Sequence, residues 1–238
     1  MLTPEEFVLA LLAVTEQVST TVLGISPLQL GIAAGTLQIL GYALYIYQSN
    51  RRELEPNPAA WLMFAYGTAL LTALELDLDA ELHLLILPAV CSLLSVYVAL
   101  LCWKRGTLTW PEDTADRLAF IADIILTIAY IGAWALRAQG SISEEAREFA
   151  TFAFLLCSNA TTFTAFSPLL RDAYLHPNRE RSLAWTIWTL AYVTLGVATV
   201  WEHGWHSVLL VYPISNAVLH FSVAWLARPH RRRHYSAV

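Results

Sequence analysis

Three polar side chains near the C-terminal end of the chain fall on one face of a predicted helix. Tyr212, Asn216 and His220 follow one another at intervals of four residues, and a helix places such positions on the same side. An amide or an imidazole surrounded by apolar sequence is costly to bury unless it is hydrogen-bonded or solvated. The spacing therefore predicts that these residues face a polar cavity and bind a small solute there.

Further polar and aromatic residues repeat this pattern on other predicted helices. Trp185 and Tyr192 share a face of one helix, Trp61 and Thr68 share a face of another, and a similar stripe contains Gln38. Aromatic rings with a polar edge suit the ring of a sugar or a nucleobase, whereas a threonine hydroxyl has the alternative role of bonding one helix to another. The predicted solute-binding residues are Asn216, His220, Tyr212, Tyr192, Thr68 and Gln38.

Four residues are predicted to gate the path to this cavity. Pro168 removes a backbone hydrogen bond near the inner end of its helix and so provides a hinge, although proline also bends membrane helices without a further role. Trp61 and Trp185 lie at the start of their predicted helices. As an alternative to gating, tryptophan at such a position anchors a protein at the membrane surface. Glu75 lies at the opposite rim, where it would titrate or simply be solvated. Asp123, by contrast, is predicted to make a structural ion pair or hydrogen bond away from the path, to Arg117 or a neighbouring helix, with a proton-coupling role as the alternative.

The composition places these residues in a membrane protein. Hydrophobic residues make up 57% of the chain and charged residues 14%, against about 45–50% and about 25% in soluble domains. A helix needs about 20 mainly apolar residues to cross a bilayer, and seven runs meet this need. They are residues 28–47, 59–75, 82–103, 118–136, 149–170, 183–201 and 205–227. The preceding segment has a polar second half and is predicted to be amphipathic, with an eighth span as the alternative.

The distribution of positive charge predicts the orientation in the membrane. The loops after the first, third and fifth predicted helices carry Lys and Arg, and the tail adds four arginines. Short loops rich in these residues stay on the cytoplasmic side. We therefore predict a multi-pass protein of the cell membrane with its N-terminus outside and its C-terminus in the cytoplasm. The basic tail is expected to contact anionic lipid and not nucleic acid.

Two landmarks occur twice at nearly the same interval. Pro88 and Pro213 are 213 − 88 = 125 residues apart, and Trp61 and Trp185 are 185 − 61 = 124 residues apart. Such self-similarity predicts an internal duplication, and transporters built from parallel repeats bind their substrate at the repeat interface near the middle of the bilayer.

The predicted fold class is therefore an all-α integral membrane protein in which seven transmembrane helices form two parallel three-helix repeats joined by a linker helix. The predicted divisions are the amphipathic segment 1–26, the first repeat 27–103, the linker helix with its flanking loops 104–148, the second repeat 149–227 and the basic tail 228–238.

This layout resembles the SWEET sugar transporters and the wider PQ-loop superfamily. The residues that carry the resemblance are TLQILGYALYIYQSNRRELEPNPAAWLMF in the first repeat and FSPLLRDAYLHPNRERSLAWTIW in the second. Each repeat keeps one residue of the superfamily's Pro-Gln pair, in Leu37-Gln38 and in Ser167-Pro168. The resemblance implies a sugar-like substrate and a pocket lined by an asparagine of a third helix and aromatic residues of a second helix. Asn216, Tyr192 and Trp185 stand at those positions.

The expected function is transport of a small polar or ring-containing solute, sugar-like, through a central cavity by alternating access. The alternatives are a receptor or assembly protein that binds a peptide or partner, and a vitamin or nucleoside carrier. A rhodopsin-like photoreceptor is excluded because Lys104, the only lysine, lies in a loop. The pair His203 and His206 is weak evidence for a metal site, so we predict no catalytic site, metal or cofactor. The expected partners are the solute and membrane lipid, and a homodimer is left open.

Overall fold

The computed structural model describes residues 24–107 and 114–228, and within these ranges the chain forms seven α-helices. A short 3₁₀ turn, Val208–Leu210, leads into the last helix. The predicted amphipathic character of residues 1–23 and the predicted lipid contact of the tail at 229–238 lie outside the described residues. The helices are α1 (Pro27–Asn50), α2 (Pro58–Asp77), α3 (Leu82–Lys104), α4 (Thr114–Ala138), α5 (Glu144–Leu175), α6 (Ser182–His203) and α7 (Val211–Leu226).

The prediction of seven spanning segments is confirmed by their length and composition, since all seven helices are long and apolar enough to cross a membrane. Several helices extend beyond the apolar runs. The fifth begins at Glu144, five residues before the predicted start, because the Ser143 side chain caps it by accepting a hydrogen bond from the amide of Ala146. Capping residues, rather than the limits of an apolar run, decide where a helix begins.

Capping residues in the local sequence determine two of the helix starts. The Ser26 side chain accepts a hydrogen bond from the backbone of Gln29, and the Gln29 side chain accepts one from the backbone of Ser26. This reciprocal capping box is followed by Pro27, whose fixed backbone angle suits the first position of a helix. The second helix starts at Pro58, and the Asn57 side chain caps it by accepting a hydrogen bond from the amide of Ala60.

Six of the helices pack into a closed ring. α1 packs against α3 and α6, α2 packs against α3 and α5, and α7 packs against α5 and α6. The order around the ring is therefore α1, α3, α2, α5, α7 and α6. α4 stands outside it, against α5 and the edge of α2.

Apolar side chains cover the outside of the ring, and polar side chains lie within it. Leu93 and Ile128 are 71% and 65% exposed, whereas Gln38, Asn159 and Asn216 are at most 3% exposed. A soluble protein rarely shows such extended apolar surface. The distribution fits a molecule whose outer face contacts lipid tails.

Glycines bring α1 close to α3. A Cβ atom on Gly31 would lie 2.5 Å from the backbone oxygen of His83, and one on Gly35 would lie 2.4 Å from the Cγ2 atom of Ile86. Small residues four apart allow membrane helices to approach at backbone distance. The stretch GIAAG in α1 is therefore a packing surface for α3.

A buried ion network joins α2 to α5 at the end of the molecule predicted to face outside. The Arg147 guanidinium contacts the carboxylates of Asp77 and Glu144 and lies 4.9 Å from the ring centre of Trp134. The hydroxyl of Thr151 donates to the second oxygen of Asp77 at 2.7 Å. These contacts link the end of α2 to the start of α5.

Candidate functional site

A small cavity at the centre of the ring is lined by residues from all seven described helices. Tyr42 comes from α1, Thr68 from α2 and Cys91 from α3. Asp123 of α4 also reaches it, as do residues of α5, α6 and α7. The cavity volume is about 20 Å³, which is room for one or two water molecules and not for a sugar. The helices are therefore closed around the centre in this structure.

Aromatic rings form most of the wall of this cavity. The indole rings of Trp61 and Trp185 lie with their centres 6.4 Å apart, and the ring of Trp188 lies 4.8 Å from that of Trp185. The centres of the phenyl rings of Phe64 and Phe166 are 4.6 Å apart, and the ring planes are inclined at 48°. Such pairs add to the free energy gained by burying the rings, so the wall is held firmly in place.

Two of the predicted residues of α7 line the cavity. The Nδ2 atom of Asn216 donates to the backbone oxygen of Tyr212 at 3.0 Å, and Nδ1 of His220 lies 2.8 Å from the backbone oxygen of Asn216. A carbonyl oxygen only accepts, so Nδ1 must carry the hydrogen and the Nε2 atom of the neutral ring is an acceptor. Asn216 and His220 are 3% and 6% exposed.

Tyr192 of α6 and Thr68 of α2, which were also predicted to face a cavity, line it as well. The hydroxyl of Thr68 donates to the backbone oxygen of Phe64 in its own helix, and the hydroxyls of Thr72 and Thr199 likewise donate to carbonyls four residues earlier. These three hydroxyls therefore donate their hydrogen within their own helices.

Tyr212 and Gln38 are buried beside the cavity but do not line it. The hydroxyl of Tyr212 lies 3.1 Å from that of Tyr192, so it supports a cavity residue from behind. Gln38 is 0% exposed, and both polar atoms of its side chain are buried without a partner among the described residues. Its backbone oxygen accepts a hydrogen bond from the indole of Trp188 at 3.2 Å.

The four predicted gate residues fall in three different places. Trp61 and Trp185 are 1% and 0% exposed, so the alternative that they anchor the protein at the membrane surface is wrong. Pro168 is buried within α5 and does not line the cavity. Glu75, 4% exposed, lines a separate cavity of about 10 Å³ with Thr199, so the alternative of a solvated rim carboxylate is also wrong.

Asp123 lines the central cavity, which corrects the expectation that it lies away from the path, whereas the predicted hydrogen bond to a neighbouring helix is confirmed. One carboxylate oxygen accepts a hydrogen bond from the hydroxyl of Thr161 of α5 at 2.6 Å. The other lies beside Gly67, where a Cβ atom would be 3.6 Å away. Because Gly67 has no side chain, a carboxylate on the outer helix passes between α2 and α5 to the cavity.

An aromatic and carboxylate cluster closes the cavity toward the end that carries the basic loops; we call it the inner plug, and it comprises Tyr45, Trp61, Glu180 and Trp185. Glu180, in the loop before α6, accepts hydrogen bonds from the hydroxyl of Tyr45 at 3.0 Å and from the indole of Trp185 at 2.8 Å. The indole of Trp61 donates to the hydroxyl of Tyr45 at 3.3 Å. Burial raises the pKa of Glu180 to about 8, against the lowering effect of these hydrogen bonds.

Beyond the inner plug lies a second cavity, of about 800 Å³, that is open and polar. Its wall includes Arg52 and Arg105 and, from α5, Asp172. The inner plug therefore separates a wide vestibule from the small central cavity.

Three site residues were not predicted from the sequence. Trp188 carried a usable signal, because it lies on the same helical face as Trp185 and Tyr192. Asp123 is a lone carboxylate in an apolar helix, which signals function, but nothing in the sequence shows that α4 reaches the centre. Glu180 stands in the charged stretch NRERS, which is typical of a solvated loop.

Within the described ranges, no group of three or more His, Cys, Asp or Glu side chains is placed to hold a metal ion. The ring of His203 lies 2.7 Å from a carboxylate oxygen of Glu81. Comparison of the chain with protein-family models, with curated proteins and with solved structures gives no significant match.

Proposed function

We propose that the protein is a multi-pass membrane transporter that moves a small solute through the central cavity by alternating access. The observation that carries the proposal is the closed cavity at the middle of the ring, to which every described helix contributes a side chain. Polar groups buried at that depth in a membrane protein are costly and seldom face lipid. A cavity shared by all the helices changes shape whenever the two halves of the ring move.

The vestibule supports this proposal. A solute that entered it would meet the inner plug, whose members come from α1, α2, α6 and the loop before α6. On the other side of the cavity, packed apolar residues that include Leu71, Leu87 and Leu195 close the path. Opening one barrier at a time is what alternating access requires.

Pairs of cavity residues at a constant interval support the predicted duplication. Phe64 and Trp188 are 188 − 64 = 124 residues apart, and Thr68 and Tyr192 are 192 − 68 = 124 apart. The members of both pairs line the cavity. Three other lining pairs have intervals of 124 or 125: Tyr42 with Phe166, Trp61 with Trp185, and Cys91 with Asn216.

The order of the ring supports two parallel repeats as well. In each predicted repeat the third helix lies between the first and the second, as α1–α3–α2 and as α5–α7–α6. The first helix of each repeat contacts the second helix of the other. This is the arrangement expected for a two-fold axis along the membrane normal, and it agrees with the resemblance to the SWEET and PQ-loop transporters.

The interval also reassigns the counterpart of Gln38. At 38 + 124 = 162 stands Thr162, a cavity residue, whereas the resemblance pairs Leu37-Gln38 with Ser167-Pro168. We therefore propose that Gln38 and Thr162 are equivalent, and that Pro168 is an independent feature of α5.

The charges support the proposed orientation in the cell membrane, with the N-terminus outside. Arg137 and Arg147 are the exceptions to the inner location of positive charge, and both contact Glu144. Because these two arginines are paired with a carboxylate, they contribute less positive charge than the basic inner loops, and the inner loops set the orientation.

Cys91 provides a direct test of alternating access, because it is a native thiol in the cavity wall. The experiment uses a variant with Cys102→Ser and Cys157→Ser, so that Cys91 is the only thiol. A small membrane-impermeant methanethiosulfonate is added to right-side-out cells and, separately, to inside-out vesicles. The proposal predicts labelling of Cys91 from both sides, because the cavity opens to each in turn.

The matched control keeps Cys157 as the only thiol. That residue is exposed on α5 and does not line the cavity, so the proposal places it against lipid and the charged reagent should not label it from either side. Labelling of Cys91 from one side alone would favour the receptor alternative, which needs one closed end. No labelling from either side, in protein that reacts after denaturation, would contradict the proposal.

A further inference from the structure

Most hydrogen-bond donors on the described side chains that line the central cavity are already used by the protein. The indoles of Trp61, Trp185 and Trp188 donate to Tyr45, Glu180 and the backbone of Gln38 respectively. The hydroxyls of Thr68 and Thr162 donate to backbone carbonyls of their own helices, and that of Thr161 contacts Asp123 and a carbonyl.

The tyrosine hydroxyls at the cavity are also engaged. The hydroxyl of Tyr42 lies 2.7 Å from that of Ser95, and the hydroxyl of Tyr192 lies 3.1 Å from that of Tyr212. Of the two hydrogens on the amide nitrogen of Asn216, one is used in the bond to Tyr212. A single amide hydrogen is thus the one uncommitted strong donor among the described lining side chains.

Acceptors, in contrast, remain available. One oxygen of Asp123, the Oδ1 atom of Asn216 and the Nε2 atom of His220 accept no hydrogen bond from a described residue. An occupant that donates hydrogen bonds satisfies these atoms, whereas one that only accepts leaves them unpaired at a cost.

The charge of the lining has one sign. Asp123 is 4% exposed, and among the described residues no Lys or Arg lines the cavity or forms an ion pair with Asp123. A buried carboxylate without a partner is unfavourable, and a cation beside it removes much of that cost. The site therefore favours a positively charged occupant over an anion.

The aromatic wall favours the same class of ligand. The faces of Trp, Tyr and Phe rings attract cations, and cages of such rings recognise ammonium groups. Seven rings, from Tyr42, Trp61, Phe64, Phe166, Trp185, Trp188 and Tyr192, line this cavity.

We propose that the central cavity binds a small organic ammonium ion, with Asp123 as its counter-ion and the aromatic rings as its wall. This inference rests on the proposed transport function and names its solute class. It replaces the sugar-like solute implied by the family resemblance, because a sugar presents as many acceptors as donors and no charge. The cavity must widen from its closed volume to take such a solute, as alternating access provides.

Labelling of Cys91 by reagents of opposite charge tests this inference. Trimethylammonium-ethyl and sulfonatoethyl methanethiosulfonate differ in charge and resemble each other in size. Their rates on the protein with Cys91 as its only thiol are each divided by their rates on a small thiol in solution. The corrected rate of the cation should exceed that of the anion by about tenfold or more, because the carboxylate of Asp123 attracts the cation and repels the anion.

Two variants assign the preference to Asp123. Asp123→Asn keeps the shape of the side chain and the acceptor for Thr161, and it should bring the corrected ratio close to one. Asp79→Asn removes the same charge from an exposed outer position and should leave the ratio as in the parent protein. Asp79 has a positive φ of 57°, which asparagine adopts readily.

The outcomes separate this inference from the proposed function. Equal corrected rates for the two reagents in the parent protein would overturn the ammonium proposal and leave alternating access in place. A preference that persists in Asp123→Asn would overturn the role of Asp123 as counter-ion. If neither reagent labels Cys91 from either side, the transport proposal fails and the ammonium site fails with it.

Discussion

Gln38 buries a complete side-chain amide without a hydrogen-bond partner among the described residues, and such a group normally costs about 1–3 kcal/mol. Replacing it with leucine, which has a similar volume and no polar atom, should therefore raise the free energy of unfolding by about 1 kcal/mol or more. The check is the apparent melting temperature of purified Gln38→Leu in detergent, compared with the parent protein at one scan rate.

Gln29→Leu is the matched control for this substitution. The Gln29 side chain completes the capping box of α1, so its loss should lower stability by about 0.5–2 kcal/mol. If Gln38→Leu melts below the parent protein as Gln29→Leu does, the Gln38 amide has a partner that stabilises the fold. A gain in stability combined with loss of Cys91 labelling would identify Gln38 as a residue kept for function at the expense of stability.

Glu180 should make the stability of the protein depend on pH. Its pKa is about 8 in the folded protein against an ordinary 4.5, so between these values the folded state holds a proton that the unfolded chain has released. Stability contributed by Glu180 is complete below pH 4.5 and is lost as the pH rises through about 8. The expected result is a melting temperature that falls across this window in the parent protein and falls less in Glu180→Gln.

The comparison uses the slope of melting temperature against pH. The amide of Glu180→Gln also changes the hydrogen bonds to Trp185 and Tyr45, but that effect is the same at every pH and does not alter the slope. Glu55→Gln serves as control, because the Glu55 carboxylate is mostly exposed and makes an ion pair at 3.5 Å with the Nε atom of Arg179. The melting temperature of this variant should depend on pH as that of the parent protein does. Identical slopes in Glu180→Gln and the parent would show that Glu180 is ionised in the folded state throughout.

Individual site residues differed in how far the sequence revealed them. Asn216, His220, Tyr192 and Thr68 share helix faces at regular spacing, and that regularity was enough to predict that they meet at a cavity. Asp123 needed knowledge of which helices are neighbours, because its access depends on the missing side chain of Gly67 on another helix. Such a contact between distant segments leaves no local pattern.

At the scale of helices, the approach of α1 to α3 depends on Gly31. Gly31→Ala places a methyl group 2.5 Å from a backbone oxygen of α3, and backbone cannot move aside without separating the helices. We expect a loss of about 1–3 kcal/mol, the usual cost of overpacking. Chemical or thermal unfolding of the purified variant measures it.

Gly132→Ala provides the comparison, because nothing lies within 4 Å of the position its Cβ would take on α4. Alanine has the higher helix propensity, so this variant should be as stable as the parent protein or slightly more so. Equal effects of the two substitutions would mean that α1 and α3 are not in backbone contact in the membrane.

The helices themselves were predictable, because bilayer thickness sets the length of a membrane-spanning helix and that length is visible in the sequence as an apolar run. Their ends were less so, since Ser143 and Asn57 act through caps outside those runs. The order of helices around the ring could not be derived from apolar runs, because each helix is apolar on most of its circumference. Only the polar stripes pointed inward.

For the whole molecule, the distribution of charge predicts that the loops before α5 and before α6 lie on opposite sides of the membrane. In a chain whose three cysteines are replaced by alanine, Ser141→Cys should react with an impermeant thiol reagent in intact cells. Asn178→Cys should react only after the cells are opened. Both positions are exposed in the structure, so access and not burial decides the result.

Reaction of both variants in intact cells would indicate two orientations in the membrane, and the reverse pattern would place the N-terminus inside. The parent chain without cysteine, treated in parallel, gives the background signal. The reverse pattern would require the vestibule to be assigned to the other side of the membrane.

The position of α4 would place lipid next to the helix that carries Asp123. Only 11% of the apolar window of this helix is buried inside the protein, against 33–61% for the other six, yet it carries Asp123. In a bilayer, lipid would therefore surround most of the helix that carries this carboxylate. Bilayer thickness acts on the tilt of an exposed helix, and a change in tilt moves Asp123 relative to the ring. If the cavity binds a solute as proposed, we expect membrane composition to change the affinity for that solute.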